Sequence, residues 1–290
     1  MALTACEMVI DPNLENAETG LVVDAWINNK PGPQEIILTW SQPYLENALP
    51  PGVTGAVVNV TDDQGLVYTF LPDNSEAGKY IWTPSVPGQG FSIGRTYTLS
   101  IQKNGENFSA VSELRRTSPI DSITFTYEEE AQFSPAFYLA EFWSRDQIGA
   151  GDTYWVRTYK NGNLLNKPNE ISTAYDAGFS EGAGFDGIIF IPPVRSSINS
   201  FDTDGNGQLL PPYELGDSVY VELYSVTKAA FNFLNEVRIQ TDRPGGFAEL
   251  FATPLSNVST NLKNTNPNGT KVIGFFCASA VEGLGRKVEE

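Results

Sequence analysis

The chain has no histidine. Histidine is the side chain whose unperturbed pKa puts its charge change near neutral pH. Its absence excludes Ser–His–Asp and Cys–His nucleophile systems and histidine-ligated zinc, leaving paired carboxylates, lysine or tyrosine as the catalytic options. Cysteine is scarce: Cys6 and Cys277 are the only two, too few for a disulfide framework. Nothing in their placement indicates a bond between them. Basic residues are also few, 18 Lys+Arg against 35 Asp+Glu, for a formal net charge of −17. A field of that sign repels nucleic-acid phosphates and anionic lipid headgroups, so nucleic acid is not an expected partner. No apolar run comes near the roughly 20 residues that span a bilayer as a helix.

What is present reads as a folded, mainly β protein. A hydrophobic content of 41% and an aromatic content of 12% exclude a disordered chain. Residues 21–27, 35–44, 56–60, 66–71, 80–82, 95–103 and 108–114 are short runs rich in β-branched and aromatic side chains. Asp62-Asp63-Gln64-Gly65 and Asn104-Gly105 join neighbouring runs as hairpin turns. A turn every ~8–12 residues predicts an Ig-like β-sandwich. Thr117-Ser118-Pro119 breaks the pattern. Beyond it, residues 122–127, 136–143, 153–159, 188–191, 218–226 and 271–278 are strand-like, with Asn161-Gly162 as another two-residue turn. Residues 164–187 are glycine-rich and aperiodic, and read as a long surface insertion of the kind that often carries binding. One helix is predicted near 226–239. Val226, Ala230, Phe233, Leu234 and Val237 fall on one stripe, and Ser225 or Thr227 can cap its start. Cys277 sits in an apolar run and reads as a small core residue. The expected organisation is an N-terminal segment (1–20), an Ig-like β-sandwich (21–117) and a larger antiparallel β domain with one packed α-helix (118–290).

Candidate chemistry is sparse. Asp202-Thr203-Asp204-Gly205-Asn206-Gly207 sets oxygen ligands at positions 1, 3 and 5 and glycine at 6, as a calcium loop does, with a carbonyl available from Gln208. Position 12 is Tyr213, and Glu214 comes one residue late. A hairpin tip explains the same residues without metal, so calcium is the one cofactor suggested and is not required. Asp24, Glu128, Glu129, Asp146, Asp186 and Glu222 would suit glycoside hydrolysis if two of them met about 5–10 Å apart. The sequence pairs none of them, no catalytic residue is assigned, and binding is expected in place of catalysis. Trp26, Trp40, Trp82, Trp143 and Trp155 have faces that could stack on sugars, but their places within strands read as core.

The N-terminus states a location. Leu3-Thr4-Ala5-Cys6 matches the cleavage pattern of a bacterial lipoprotein, in which Cys6 becomes the acylated first residue. On the tetrapeptide alone an ordinary cysteine is the other reading, because a signal peptide needs a basic segment and a 7–15-residue apolar stretch ahead of it. Other strings add to it: Leu21-Val22-Val23-Asp24-Ala25-Trp26-Ile27, Gly55-Ala56-Val57-Val58-Asn59-Val60, Gly94-Arg95-Thr96-Tyr97-Thr98-Leu99, Pro119-Ile120-Asp121-Ser122, Gly216-Asp217-Ser218-Val219-Tyr220-Val221 and Gly274-Phe275-Phe276. In this order and spacing the chain resembles, over nearly its whole length, the lipoprotein family called domain of unknown function 4249 of Bacteroidota-type outer membranes. It departs from the family at Gly245-Gly246-Phe247, where Asn-Pro-Phe is usual, and in a longer loop through Asn268-Gly269.

The resemblance implies an outer-membrane lipoprotein, lipid-anchored through Cys6 and facing the cell surface. Its implied partner is a β-barrel TonB-dependent transporter, which it would serve as an accessory or ligand-binding subunit in nutrient import. No catalytic or ligand residue comes with the family. Residues 164–187 and 257–269 are the expected contact surfaces. The alternative is a cell-surface glycan-binding or adhesive module, with calcium as an optional cofactor.

Overall fold

A computed structural model describes residues 18–289 apart from 44, 45, 47, 132, 133, 244, 246–251 and 253. Cys6 and the Gly246-Phe247 departure therefore lie outside the described residues.

Period-2 alternation organises the first sheet. In β1 (Leu21–Asn28), Leu21, Val23, Ala25 and Ile27 are buried, while Asp24 and Trp26 point to the opposite face. The same alternation runs through β2 (Gln34–Trp40), β3 (Val57–Asp62), β4 (Val67–Pro72), β5 (Lys79–Trp82), β6 (Thr96–Lys103) and β7 (Glu106–Glu113). The Asp62 carboxylate closes the β3–β4 turn by accepting from the N–H groups of Gln64 (3.0 Å) and Leu66 (2.8 Å). At the β6–β7 turn, Asn104 and Gly105 both hold left-handed φ, 52° and 80°, which a type I′ hairpin requires.

The chain then forms a separate hairpin from β8 (Ile120–Glu128) and β9 (Phe137–Ser144). Next come β10 (Thr153–Lys160), β11 (Asn163–Leu164), β12 (Ser172–Tyr175), the short α1 (Pro192–Arg195), β13 (Ser218–Ser225) and α2 (Lys228–Thr241). Thr227 caps α2, its hydroxyl accepting from the Ala230 N–H (3.2 Å). The last strands are β14 (Lys263–Asn264), β15 (Val272–Ser279) and β16 (Val281–Lys287). Among the described residues, no helix is long and apolar enough to cross a membrane.

Two sheets dominate. The first has nine strands in the order β14-β7-β6-β3-β4-β5-β2-β1-β15, antiparallel except for the parallel β1–β15 pair. It curls around one core that takes side chains from β1 to β7 and from β15. Its ends meet: Arg115 bridges Ser279, and the Ser112 hydroxyl accepts from the Ala278 N–H (2.9 Å). The second sheet is ordered β11-β10-β13-β16, with β12 also paired to β10. Its inner face, with Tyr154, Val156, Val219, Val221 and Leu223, packs against Phe142, Phe190 and Val194.

One segment belongs to both sheets. Only Ala280 separates β15, in the first sheet, from β16, in the second. The Ser225 hydroxyl fixes this crossing, accepting from the Ala280 N–H (2.9 Å) and donating to the Arg115 carbonyl (2.7 Å). Gly274 in β15 has φ +95°, and a Cβ there would run into the Val23 carbonyl. Glycine is what lets β15 lie against β1.

The surface insertion expected over residues 164–187 is corrected in part. Ser172–Tyr175 is a strand laddered to β10, and Ala174 and Ala177 are fully buried. Small residues buried on both faces leave no in–out alternation to read. The break at Thr117-Ser118-Pro119 is a real change of sheet, but the C-terminal part of the chain returns across it to supply β14 and β15.

Candidate functional site

Where the two sheets meet, both present the faces that simple alternation would assign to water. β1 contributes Asp24 and Trp26. β10 contributes Trp155, Arg157 and Tyr159, and β13 contributes Tyr220, Glu222 and Tyr224. From β15 come Phe275 and Cys277. Tyr224, Val226, Ala230, Phe275, Cys277 and Val281 form a third apolar cluster, flanked by Trp26, Trp155, Phe231 and Phe233. The rings interlock: Trp26 lies 5.1 Å from Trp155 and is stacked on Phe275 at 6.0 Å, and Phe233 lies 4.7 Å from Phe275. Burial raises the Cys277 thiol pKa, so this cysteine is an inert packing residue.

A polar network crosses the same seam. Glu222 is only 1% exposed and forms a salt bridge with Lys30, from the β1–β2 loop of the other sheet. The hydroxyls of Tyr159 and Tyr224 each donate to the second Glu222 oxygen at 3.1 Å. Desolvation raises both tyrosine pKa values, opposed by the Arg157 charge and reinforced by the Glu222 charge. Arg157 stands directly across the ladder from Glu222, yet Lys30 holds that carboxylate. The Arg157 guanidinium instead lies among three rings, 4.9 Å from Trp155, 5.3 Å from Tyr224 and 5.9 Å from Tyr159. It donates to the Tyr224 hydroxyl (3.3 Å), and its Nε is buried with no hydrogen-bond partner.

Two adjoining cavities open along this seam and share Trp26, Trp155 and Arg157. One, about 230 Å³, is polar and is completed by Asp24, Glu35 and Ile37. The other, about 290 Å³, is largely apolar and is walled by Leu164, Leu165, Ile171, Phe233, Leu234 and Val237 among others. Together they form a groove of the size class that takes small ligands. In the polar half, Lys79 holds Glu35 at 2.8 Å. Among the described residues, Asp24 has no such cation. It is open to water at the rim, but the protein crowded around it raises its carboxyl pKa by desolvation, opposed by a hydrogen bond from Trp26, reinforced by the Glu35 charge and opposed again by the Arg157 charge.

The expected calcium ligands make contacts of their own within the chain. Asp202 pairs with Lys167 and accepts from the Ser200 hydroxyl (3.1 Å). Asp204 accepts from the N–H groups of Asn206 and Gln208, both at 2.8 Å, at the tip of a turn closed by a Thr203–Leu209 bridge. Glu214 is exposed, and its N–H donates to Asp217 (2.9 Å).

Among the described residues, the acids whose ligand atoms converge are Asp146, Asp176 and Asp186, all within 4.8 Å of one another. Oxygen ligands so grouped suit a hard cation. Each also anchors a loop. Asp146 accepts from Tyr154 OH (2.6 Å) and Gly187 N–H (3.0 Å), Asp176 from Gly151 N–H (2.7 Å), and Asp186 from Gly149 N–H (2.8 Å). Burial raises the Asp146 pKa. Of the carboxylates flagged from sequence, the structure therefore brings Asp146 and Asp186 together, puts Asp24 in the groove and Glu222 in the seam, and leaves Glu128 and Glu129 exposed.

The tryptophans divide in the same way. Trp40 and Trp82 belong to the first core, and Trp143 donates to Thr124 (2.8 Å) with Arg195 stacked on it at 4.0 Å. Trp26 and Trp155 line the groove. Arg157, Lys30 and Phe233 were not singled out as site residues. For Arg157 the signal lies in Trp155-x-Arg157-x-Tyr159, which faces Tyr220-x-Glu222-x-Tyr224 across the ladder; no local pattern marks Lys30 or Phe233.

The chain belongs to the family described as domain of unknown function (DUF4249), whose model matches residues 7–283. No curated protein matches it.

Proposed function

We propose that this member of the family is a lipid-anchored outer-membrane protein that binds a small ligand as a subunit of a TonB-dependent transporter complex. The observation that carries the reading is the groove at the sheet seam, with its aromatic walls, an arginine held by rings and an acid without a cation. Family membership supports the location, and Cys6 stands one residue ahead of the matched segment. Acylation there would hold the domain at the membrane without a spanning helix, and more than one chain is needed for a stable anchor.

Binding is favoured over catalysis. There is no histidine, and of the two acids in the groove Glu35 is tied to Lys79. A glycan-binding module is the weaker reading. Trp26 and Trp155 tilt at 58° against each other in place of presenting a flat platform, and the apolar half of the groove has few groups to meet sugar hydroxyls. Extraction of native protein in mild detergent, followed by mass spectrometry, tests the proposal. An acylated Cys6 peptide and a co-purified β-barrel transporter are expected. An unmodified Cys6 on a freely soluble protein would contradict it.

A further inference from the structure

The polar half of the groove holds opposite charges that do not neutralise each other. Among the described residues, the Arg157 guanidinium pairs with no carboxylate, because Lys30 occupies Glu222 and Asp24 interacts with Arg157 only at longer range. A buried Nε without a partner is uncommon in a folded protein. The other arginine with an unmet Nε, Arg195, has an ion pair with Glu141 at 3.3 Å. Arg157 has none and lines both cavities.

We propose that the groove binds a short peptide or amino acid in its zwitterionic form. The carboxylate lies on Arg157, the ammonium on Asp24, and an apolar side chain enters the cavity beside α2. The proposal rests on the reading of the protein as a ligand-binding subunit and names the ligand class.

Three features select that class. A planar guanidinium recognises a planar carboxylate through two parallel hydrogen bonds. The ring contacts that hold Arg157 also reduce the ordering cost of doing so. Asp24 is the acid left over once Lys79 has taken Glu35, and it faces the same cavity as Arg157. Net charge argues against polyanions, which a chain of −17 repels. A zwitterion is neutral overall and escapes that repulsion. The adjoining cavity of about 290 Å³, walled by Leu164, Leu165, Phe233 and Val237, offers a leucine or phenylalanine side chain a largely apolar site.

Calorimetric titration of the purified full chain at neutral pH tests this with four probes: Leu-Leu, its N-acetyl derivative, its C-terminal amide and maltose. Leu-Leu is expected to bind saturably. Removing either terminal charge should weaken binding by at least about tenfold, and maltose should give no heat. Arg157→Gln should abolish discrimination against the amide, and Asp24→Asn discrimination against the acetylated probe. Arg157→Lys, which keeps the charge but loses the fork, should bind more weakly than the parent. Val237→Trp, filling the apolar half, should weaken all peptide probes. Circular-dichroism melts show whether each variant is folded. The proposal is overturned if the capped probes bind as tightly as Leu-Leu, if the substitutions leave affinities unchanged in folded protein, or if Leu-Leu gives no heat at millimolar concentration. A transporter that co-purifies with a chain blind to peptides would overturn the ligand class alone. Peptide binding with no co-purified barrel would overturn the subunit reading alone.

Discussion

The two faces of β1 are built on different principles. On the inner face Leu21, Val23, Ala25 and Ile27 are fully buried among aliphatic and aromatic neighbours from every long strand of the first sheet. On the outer face of the same strand, one residue along in each case, Asp24 and Trp26 meet the second sheet across a seam of rings, an ion pair and two cavities. The inner face is closed and satisfied, as a protein core normally is. The seam keeps open space and an unmet donor. Stability is thus concentrated on one side of a strand, while the other side retains the incompletely filled, charged surface that a ligand requires.

The contrast can be broken first from the closed side. Phe276, on the inner face of β15, is fully buried. Phe276→Ala should destabilise by about 3–5 kcal/mol in urea unfolding. A loss under about 1 kcal/mol would mean that the first core does not depend on the returning strand.

The seam should cost less to disturb. Lys30→Ala leaves the buried Glu222 carboxylate with only two tyrosine hydroxyls. Losing one partner of a fully buried pair costs about 3–5 kcal/mol. Lys30 is 44% exposed, so water can partly replace it and about 2 kcal/mol is expected by the same unfolding measurement. An unchanged midpoint would show that the pair does not hold the sheets together.

The smallest effect sharpens the comparison, because its sign is opposite. The Asp24 carboxyl pKa is raised in the folded state, so ionisation is penalised there and folding loses stability as pH rises past the ordinary aspartate range near 4. Asp24→Asn removes the penalty. Because Asp24 is open to water, the gain should be a few tenths of a kcal/mol at neutral pH and should vanish at acid pH. Ligand affinity should move the other way. The ammonium needs ionised Asp24, so peptide binding by the parent chain should fall with acidification at a pH above that of an unperturbed aspartate. A flat titration profile would detach Asp24 from recognition.

Local signals carried much of the fold. Asn104-Gly105 and Asn161-Gly162 turn as two-residue hairpins must, with both asparagines at left-handed φ. Thr227 caps α2, and Cys277 is core. Pairings set by distant parts of the chain were not legible. Nothing near Leu21–Asn28 announces that Val272–Ser279 will lie parallel to it. The seam was hidden for a related reason. Alternation says which residues share a strand face, but it does not say whether that face meets water or a second sheet. Trp155 therefore reads from the sequence as core, whereas in the fold it shares a strand face with Arg157 and Tyr159 at the wall of the groove. The acids show the same limit: six were flagged by type, and only the fold brings Asp146 and Asp186 to Asp176, or leaves Asp24 without a cation.

The most direct measurement is a crystal structure grown with Leu-Leu at a concentration that saturates the titration. The expected result is a dipeptide spanning the seam, its carboxylate on Arg157, its ammonium at Asp24 and a leucine side chain against Phe233 and Val237. A groove holding only water under those conditions, or a dipeptide bound elsewhere on the chain, would contradict it.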